Sequence, residues 1–208
     1  MPTLRKLLTA CLLLLPGFAA AADVFARADA VTAPAPFSVC HGFTCTLETE
    51  VRLQDTDWSA IRSAFDSIAD TPEQERGRIA AAIATFETIV GRMTGTSEDL
   101  AGNQRRGMDR AGQMDCIDES TNTTTYLRLL AHAGLLRWRR VEDQITRGWF
   151  LFGWPHTTAA VSDRQSDRLW AVDSWFFANG EPPVIVPVET WSQARWRPIK
   201  PSERSASP

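Results

Sequence analysis

An α+β domain is what this chain predicts, and three observations predict it. Segments with helical apolar spacing come first, a long polar stretch with several glycines follows, and short segments rich in branched and aromatic residues come last. Of the 208 residues, 44% are hydrophobic and 23% charged, the balance of a chain that buries one ordinary core. The formal charge of -3 offers no basic surface, so no nucleic-acid partner is expected.

The elements follow in order. Leu47, Thr49, Val51 and Leu53 alternate with Glu48, Glu50 and Arg52, which reads as a short strand with one wet face. Thr56 or Asp57 is the expected cap of a helix with an inner stripe of Trp58, Ile61, Phe65 and Ile68. Pro72, just after Thr71, suits the first position of a second helix, whose apolar face is Ile79, Ile83, Phe86, Val90 and Met93. Residues 94–113, with Gly95, Gly102, Gly107 and Gly112, form a long loop that leads directly to Cys116. A third helix is expected from about 115 to 133, stopping at Gly134, although the threonines between 121 and 125 are weak helix formers. Segments 136–141, 149–153, 157–161 and 169–175 then read as an antiparallel sheet, and Pro182, Pro183 and Pro187 interrupt an extended tail. The third helix, which begins at Cys116, is expected to pack on that sheet.

The N-terminus has its own logic. Arg5 and Lys6 precede an apolar run from Leu7 to Phe18, and small residues follow to Ala22. Charge at the inner face, an apolar run that enters the membrane and small residues that fit a peptidase make 1–22 a signal peptide, with a site after Ala26 as the alternative to Ala22. The run is short for an anchor, so no membrane span is expected once the signal is removed. The box ending at Cys11 resembles a lipoprotein site, but the apolar run before it is too short and continues past it. Residues 23–36 read as an Ala- and Pro-rich tether, 37–197 as the domain, and 198–208 as a disordered tail. A periplasmic or secreted location follows.

Removal of the signal leaves Cys40, Cys45 and Cys116. In an oxidising compartment Cys40 and Cys45 can close a small loop, leaving Cys116 as the odd thiol. A metal site built on Cys40, His41 and Cys45 lacks a fourth ligand at usual spacing. A thiol attacks as thiolate, and a helix start favours that charge. Cys116 stands at such a start. A histidine must take the proton and a third group must orient it. His156 opens one strand after Pro155, and Asp173 lies in the next, inside Ala171-Val172-Asp173-Ser174-Trp175. A carboxylate in an apolar strand needs a partner, and His156 is the natural one.

These residues resemble a family. Asp115-Cys116 at a helix start, Pro155-His156-Thr157-Thr158 on a strand and Val172-Asp173-Ser174-Trp175 on the next are similar to the transglutaminase-like cysteine protease superfamily, nearest to its bacterial periplasmic branch. The resemblance covers roughly residues 70 to 191. It implies a papain/transglutaminase-like core and a thiol mechanism in which Cys116 attacks a carbonyl, His156 shuttles the proton and Asp173 orients His156. Some relatives bind calcium through acids around the cysteine. Here Asp115 remains, Asp118 or Glu119 is at hand, and Ile117 stands where an acid is common. Charge compensation at the helix start is the favoured reading of these acids, so no cofactor and no metal site are expected, with calcium left as the open alternative.

The oxyanion donors read from the sequence are the backbone N–H of Cys116 and, second, Gln113, with Gln104 as its rival. His132 and His41 are expected to be incidental. Trp149, Trp154 and Trp175 flank the site by sequence, with plain packing favoured over a substrate groove. Arg137, Arg139 and Arg140 read as a solvated strand end. The expected activity is hydrolysis of peptide or isopeptide bonds in a protein or peptide substrate, cell-wall peptide included. Acyl transfer to an amine and a non-catalytic binding module are the alternatives. Oligomeric state is not legible.

Overall fold

The computed structural model describes residues 33–103, 110–148, 155–193 and 196–198. The signal peptide, the tether up to residue 32, Gln104, the strand expected at 149–153 with Trp149 and Trp154, and the tail beyond 198 lie outside the described residues.

A two-stranded antiparallel ribbon comes first, β1 (Phe37–His41) paired with β2 (Leu47–Val51). Three helices follow: α1 (Asp55–Arg62), α2 (Pro72–Thr94) and α3 (Cys116–His132). A four-stranded antiparallel sheet closes the fold in the order β3 (Arg139–Arg147), β4 (His156–Asp163), β5 (Leu169–Asp173) and β6 (Val184–Pro187), and a single helical turn, α4 (Val188–Trp191), ends it. The class is mixed α+β, helices first and sheet last. No helix among the described residues is long and apolar enough to cross a membrane.

The periodicities explain the core. Ile79, Ile83, Phe86 and Val90 of α2 meet Tyr126, Leu127 and Leu130 of α3, and both stripes face Ala159, Val161, Trp170 and Val172 of the sheet. Phe86 stacks on Tyr126 with centroids 4.5 Å apart, and Trp58 of α1 leans on Phe86 at 6.0 Å. Burying each such side chain is worth about 1.5–3 kcal/mol. Glu75 is fully buried in α2 and accepts the backbone N–H of Arg137 at 2.6 Å and of Trp138 at 2.9 Å, which pins α2 to the approach of β3.

Several expectations shift. α1 is capped from Gln54, whose N–H donates to Asp57 at 3.0 Å, and it gives way to a 3-10 turn at Ser63, so Ile68 leaves the stripe and is 66% exposed. Met93, one position before the end of α2, is 41% exposed. β1 is an added strand. β3 begins later than expected and runs to Arg147, with a register shift between Glu142 and Ile145. β5 stops at Asp173, before Trp175. The segment read as an interrupted tail supplies β6, where Pro187 is tolerated because β6 is an edge strand. Arg139 is not solvated: it is buried against Asp163, and its guanidinium lies 5.3 Å from the Trp170 ring centroid.

Candidate active site

The register of the sheet brings His156 and Asp173 together. The last paired positions are Ala159 and Val172, and one further step sets Asp173 opposite Thr158. His156 lies two residues along on the same face, within diagonal reach. Its Nε2 meets Oδ2 of Asp173 at 2.7 Å, and both side chains are buried. Asp173 is an acceptor, so Nε2 carries the proton of this contact, and in the neutral ring Nδ1 keeps the lone pair. That Nδ1 is buried and has no hydrogen-bond partner among the described residues.

Cys116 is the first residue of α3, and Asp115 is its N-cap. The Asp115 carboxylate takes the N–H groups of Ile117 and Asp118 at 3.0 and 3.1 Å, leaving the N–H of Cys116 itself free of that cap. The thiol lies against the Trp175, Phe176 and Phe177 cluster. His156 packs on the same cluster, 4.6 Å from Trp175 and 5.2 Å from Phe176. Burial pushes the thiol above its ordinary value, and the negative charges of Asp115 and Asp173 add to that push. The backbone of Thr157, next to His156, opposes it. The net direction is upward, so the resting thiol keeps its proton well above neutrality.

The loop that joins β1 to β2 is built as a clasp on the start of α3. Cys40 and Cys45 are joined by a disulfide, and Gly42, Phe43, Thr44 and Cys45 all have left-handed backbone, with φ of 79°, 67°, 55° and 52°. Three of these are not glycine, at a cost of about 1–2 kcal/mol each. The return is a row of N–H groups aimed at the helix start. Phe43 and Cys45 donate to Asp118 at 2.8 and 2.6 Å, and Thr44 donates to Asp115 at 3.2 Å. These carboxylates are spent on N–H donors, so they do not fit a calcium ion. His41 bonds Thr49 within the ribbon at 2.9 Å, and His132 is exposed at the far end of α3.

Gln113, the second oxyanion donor expected from the sequence, is buried in the loop before the cysteine. Its amide nitrogen donates to the Glu98 carbonyl at 2.7 Å, and its amide oxygen accepts from Leu100 N–H at 3.3 Å and from Asn103. It ties down the loop before the cysteine. The loop in turn holds Trp175, whose indole donates to the Asn103 carbonyl at 2.8 Å. Trp175 is therefore packing for His156.

Two features escaped the sequence reading. The first is Trp191 of α4. Its indole N–H donates to the same Oδ2 of Asp173 at 2.7 Å. Nothing in a lone tryptophan beyond a proline announces this. The second is a buried group of carboxyls beneath the site: Glu87 of α2, Asp99 of the loop and Glu119 of α3. Burial raises Glu87 from 4.5 to about 8 and Asp99 from 3.8 to about 6, and it holds Glu119 well above its ordinary value, with the charges of Glu87 and Asp99 adding to the effect. Ser174, next to Asp173, bonds Thr123 at 2.7 Å, and Asp99 accepts the Met114 N–H at 2.7 Å. Glu119 shares a helix face with Thr123, Tyr126 and Leu130, a placement at odds with a solvated acid and the one signal available in the sequence. Among the described residues, no group of three or more His, Cys, Asp or Glu is arranged to hold a metal ion.

Compared with known proteins, the chain matches no family model, no curated protein and no solved structure.

Proposed function

We propose that this chain is an exported thiol hydrolase with a papain/transglutaminase-like core, acting on peptide or isopeptide bonds. The observation that carries the reading is the buried 2.7 Å contact between His156 Nε2 and Asp173 Oδ2, which leaves the lone pair of His156 Nδ1 as the free base at the site of Cys116. In the reaction the Cys116 thiol gives its proton to Nδ1 as sulfur bonds the substrate carbonyl carbon. The N–H of Cys116 receives the developing oxyanion. Collapse breaks the C–N bond, and the imidazolium returns the proton to the leaving amine. Water then hydrolyses the thioester, with His156 as base, and the thiol is restored. Because burial raises the thiol, proton transfer accompanies attack; no resident thiolate is required.

Export is supported by the basic, apolar and small-residue order of the N-terminus and by the Cys40–Cys45 bridge. Location makes proteins and cell-wall peptides the substrate classes to screen. An amine in place of water would make the same acyl-enzyme an amine acyltransferase. The protonated, packed-in thiol favours a second reading, a binding module that keeps this scaffold without turnover.

The two classes separate on the rate of Cys116 alkylation by iodoacetamide against pH, followed on the peptide containing Cys116. A working site gives two limbs, one near neutrality from imidazole-assisted attack and one alkaline from the thiol alone. His156→Ala should erase the first and spare the second. Identical profiles in wild type and variant would exclude the triad.

A further inference from the structure

We propose that Trp191 is a positioning residue of this site: its indole N–H, aimed by Arg147, shares Oδ2 of Asp173 with His156 and so fixes the carboxylate and limits its pull on the imidazole. The inference rests on the triad reading and goes beyond it.

A buried indole N–H needs an acceptor, and any backbone carbonyl would serve. Trp191 is 1% exposed, and it takes instead the one oxygen that also holds His156, both contacts being 2.7 Å. Its ring lies 5.6 Å from the imidazole, which confines the histidine from a second side. The indole does not place itself. Arg147, opposite His156 in the β3–β4 register, donates to the carbonyl of Trp191 and reaches the carbonyl of Trp196 at 3.3 Å. Its guanidinium also stacks over the Trp191 ring, 4.6 Å from the centroid. A single helical turn is too short to hold itself, so this cation supplies the rigidity that α4 lacks.

The groups facing Asp173 are His156 from β4, Trp191 from α4, Cys116 from α3 and the Arg147 charge from β3. Indole donation spreads the charge on Oδ2. Without it the whole carboxylate charge acts on the imidazole and favours the protonated ring. A residue that only filled space would slow the reaction without moving its pH dependence.

The test is the alkylation profile of Cys116 in wild type, Trp191→Phe and His156→Ala, with thermal melting of each. Trp191→Phe should move the near-neutral limb to higher pH and leave the alkaline limb in place. A folded Trp191→Phe protein with the wild-type profile overturns the positioning role while the triad stands. A near-neutral limb that survives His156→Ala overturns the triad itself. If Trp191→Phe does not fold, hydrogen exchange of the indole N–H in the wild-type protein decides. A slowly exchanging Trp191 indole supports the shared contact, and one exchanging as fast as an exposed tryptophan overturns it.

Discussion

Asp118 accepts the backbone N–H of Cys45 at 2.6 Å and so fastens the disulfide loop to the first turn of the helix that begins with Cys116. The same carboxylate takes the N–H of Phe43 and closes the capping box on Asp115. The loop is thus part of the site's foundation, although it lies more than seventy residues away in sequence. Cleaving the bridge with dithiothreitol, or replacing both cysteines by serine, should lower stability by about 2 kcal/mol from the released chain entropy of so short a loop. Melting temperatures with and without reductant check this. Equal values would mean that the clasp holds without its bridge.

The thiol makes the second prediction. Burial and the charges of Asp115 and Asp173 raise Cys116, so the alkaline limb of its alkylation should lie above that of free cysteine under the same conditions. Cys116→Ala should abolish any turnover with little loss of stability. A limb below that of free cysteine would show a resident thiolate and sink the account of a thiol that stays protonated until attack.

The carboxyl group beneath the site makes the third. Glu87 and Asp99 are raised to about 8 and about 6, so each holds in the folded protein a proton that it would give up on unfolding. Raised carboxyl groups contribute their stability in full below their unfolded values of 4.5 and 3.8, and that contribution is lost as pH rises towards the folded values. Glu87→Gln removes one such term and keeps an oxygen for the Gly180 N–H. Its melting temperature should exceed that of the wild type by a margin that widens from pH 4 to pH 8. A margin flat across that interval would show that Glu87 is not the titrating group.

Asn122 provides a fourth. Its amide donates to the Cys40 carbonyl and accepts the Cys40 N–H, both at 2.8 Å and both buried. Asn122→Ala strands two backbone groups, at about 1–3 kcal/mol each. Urea midpoints should fall accordingly. The same geometry buries the Asn122-Thr123-Thr124 sequon, so the folded chain should resist glycosylation there.

Chemistry-bearing residue types were readable from the sequence: Cys116 at a helix start beside Asp115, His156 after Pro155, and Asp173 in an apolar strand with no local partner. So were α2 and α3, because their apolar positions repeat at helical spacing. The threonine-rich run of α3 shows the limit of propensity. Thr123 bonds Ser174 at 2.7 Å and Asn122 bonds Cys40, so partners fifty and eighty residues away hold a helix that its own residues favour weakly. Gln113 shows the limit of composition, since an amide in a polar loop gives no sign of which backbone groups it will meet. β6 shows the limit of punctuation, since Pro187 reads as a break until the edge of a sheet accommodates it.

By itself the sequence determined that helices precede the main sheet, the odd thiol, and the residue types Cys116, His156 and Asp173, because periodicity, capping and unpaired polarity act within a few positions of the chain. Only the tertiary structure decided that one oxygen of Asp173 serves both His156 and Trp191, that Arg147 aims the indole, and that Asp118 belongs to the disulfide loop. Those contacts join residues that no local pattern relates. They are set by strand register and by the need of buried N–H groups and carboxylates to find one another once water is gone.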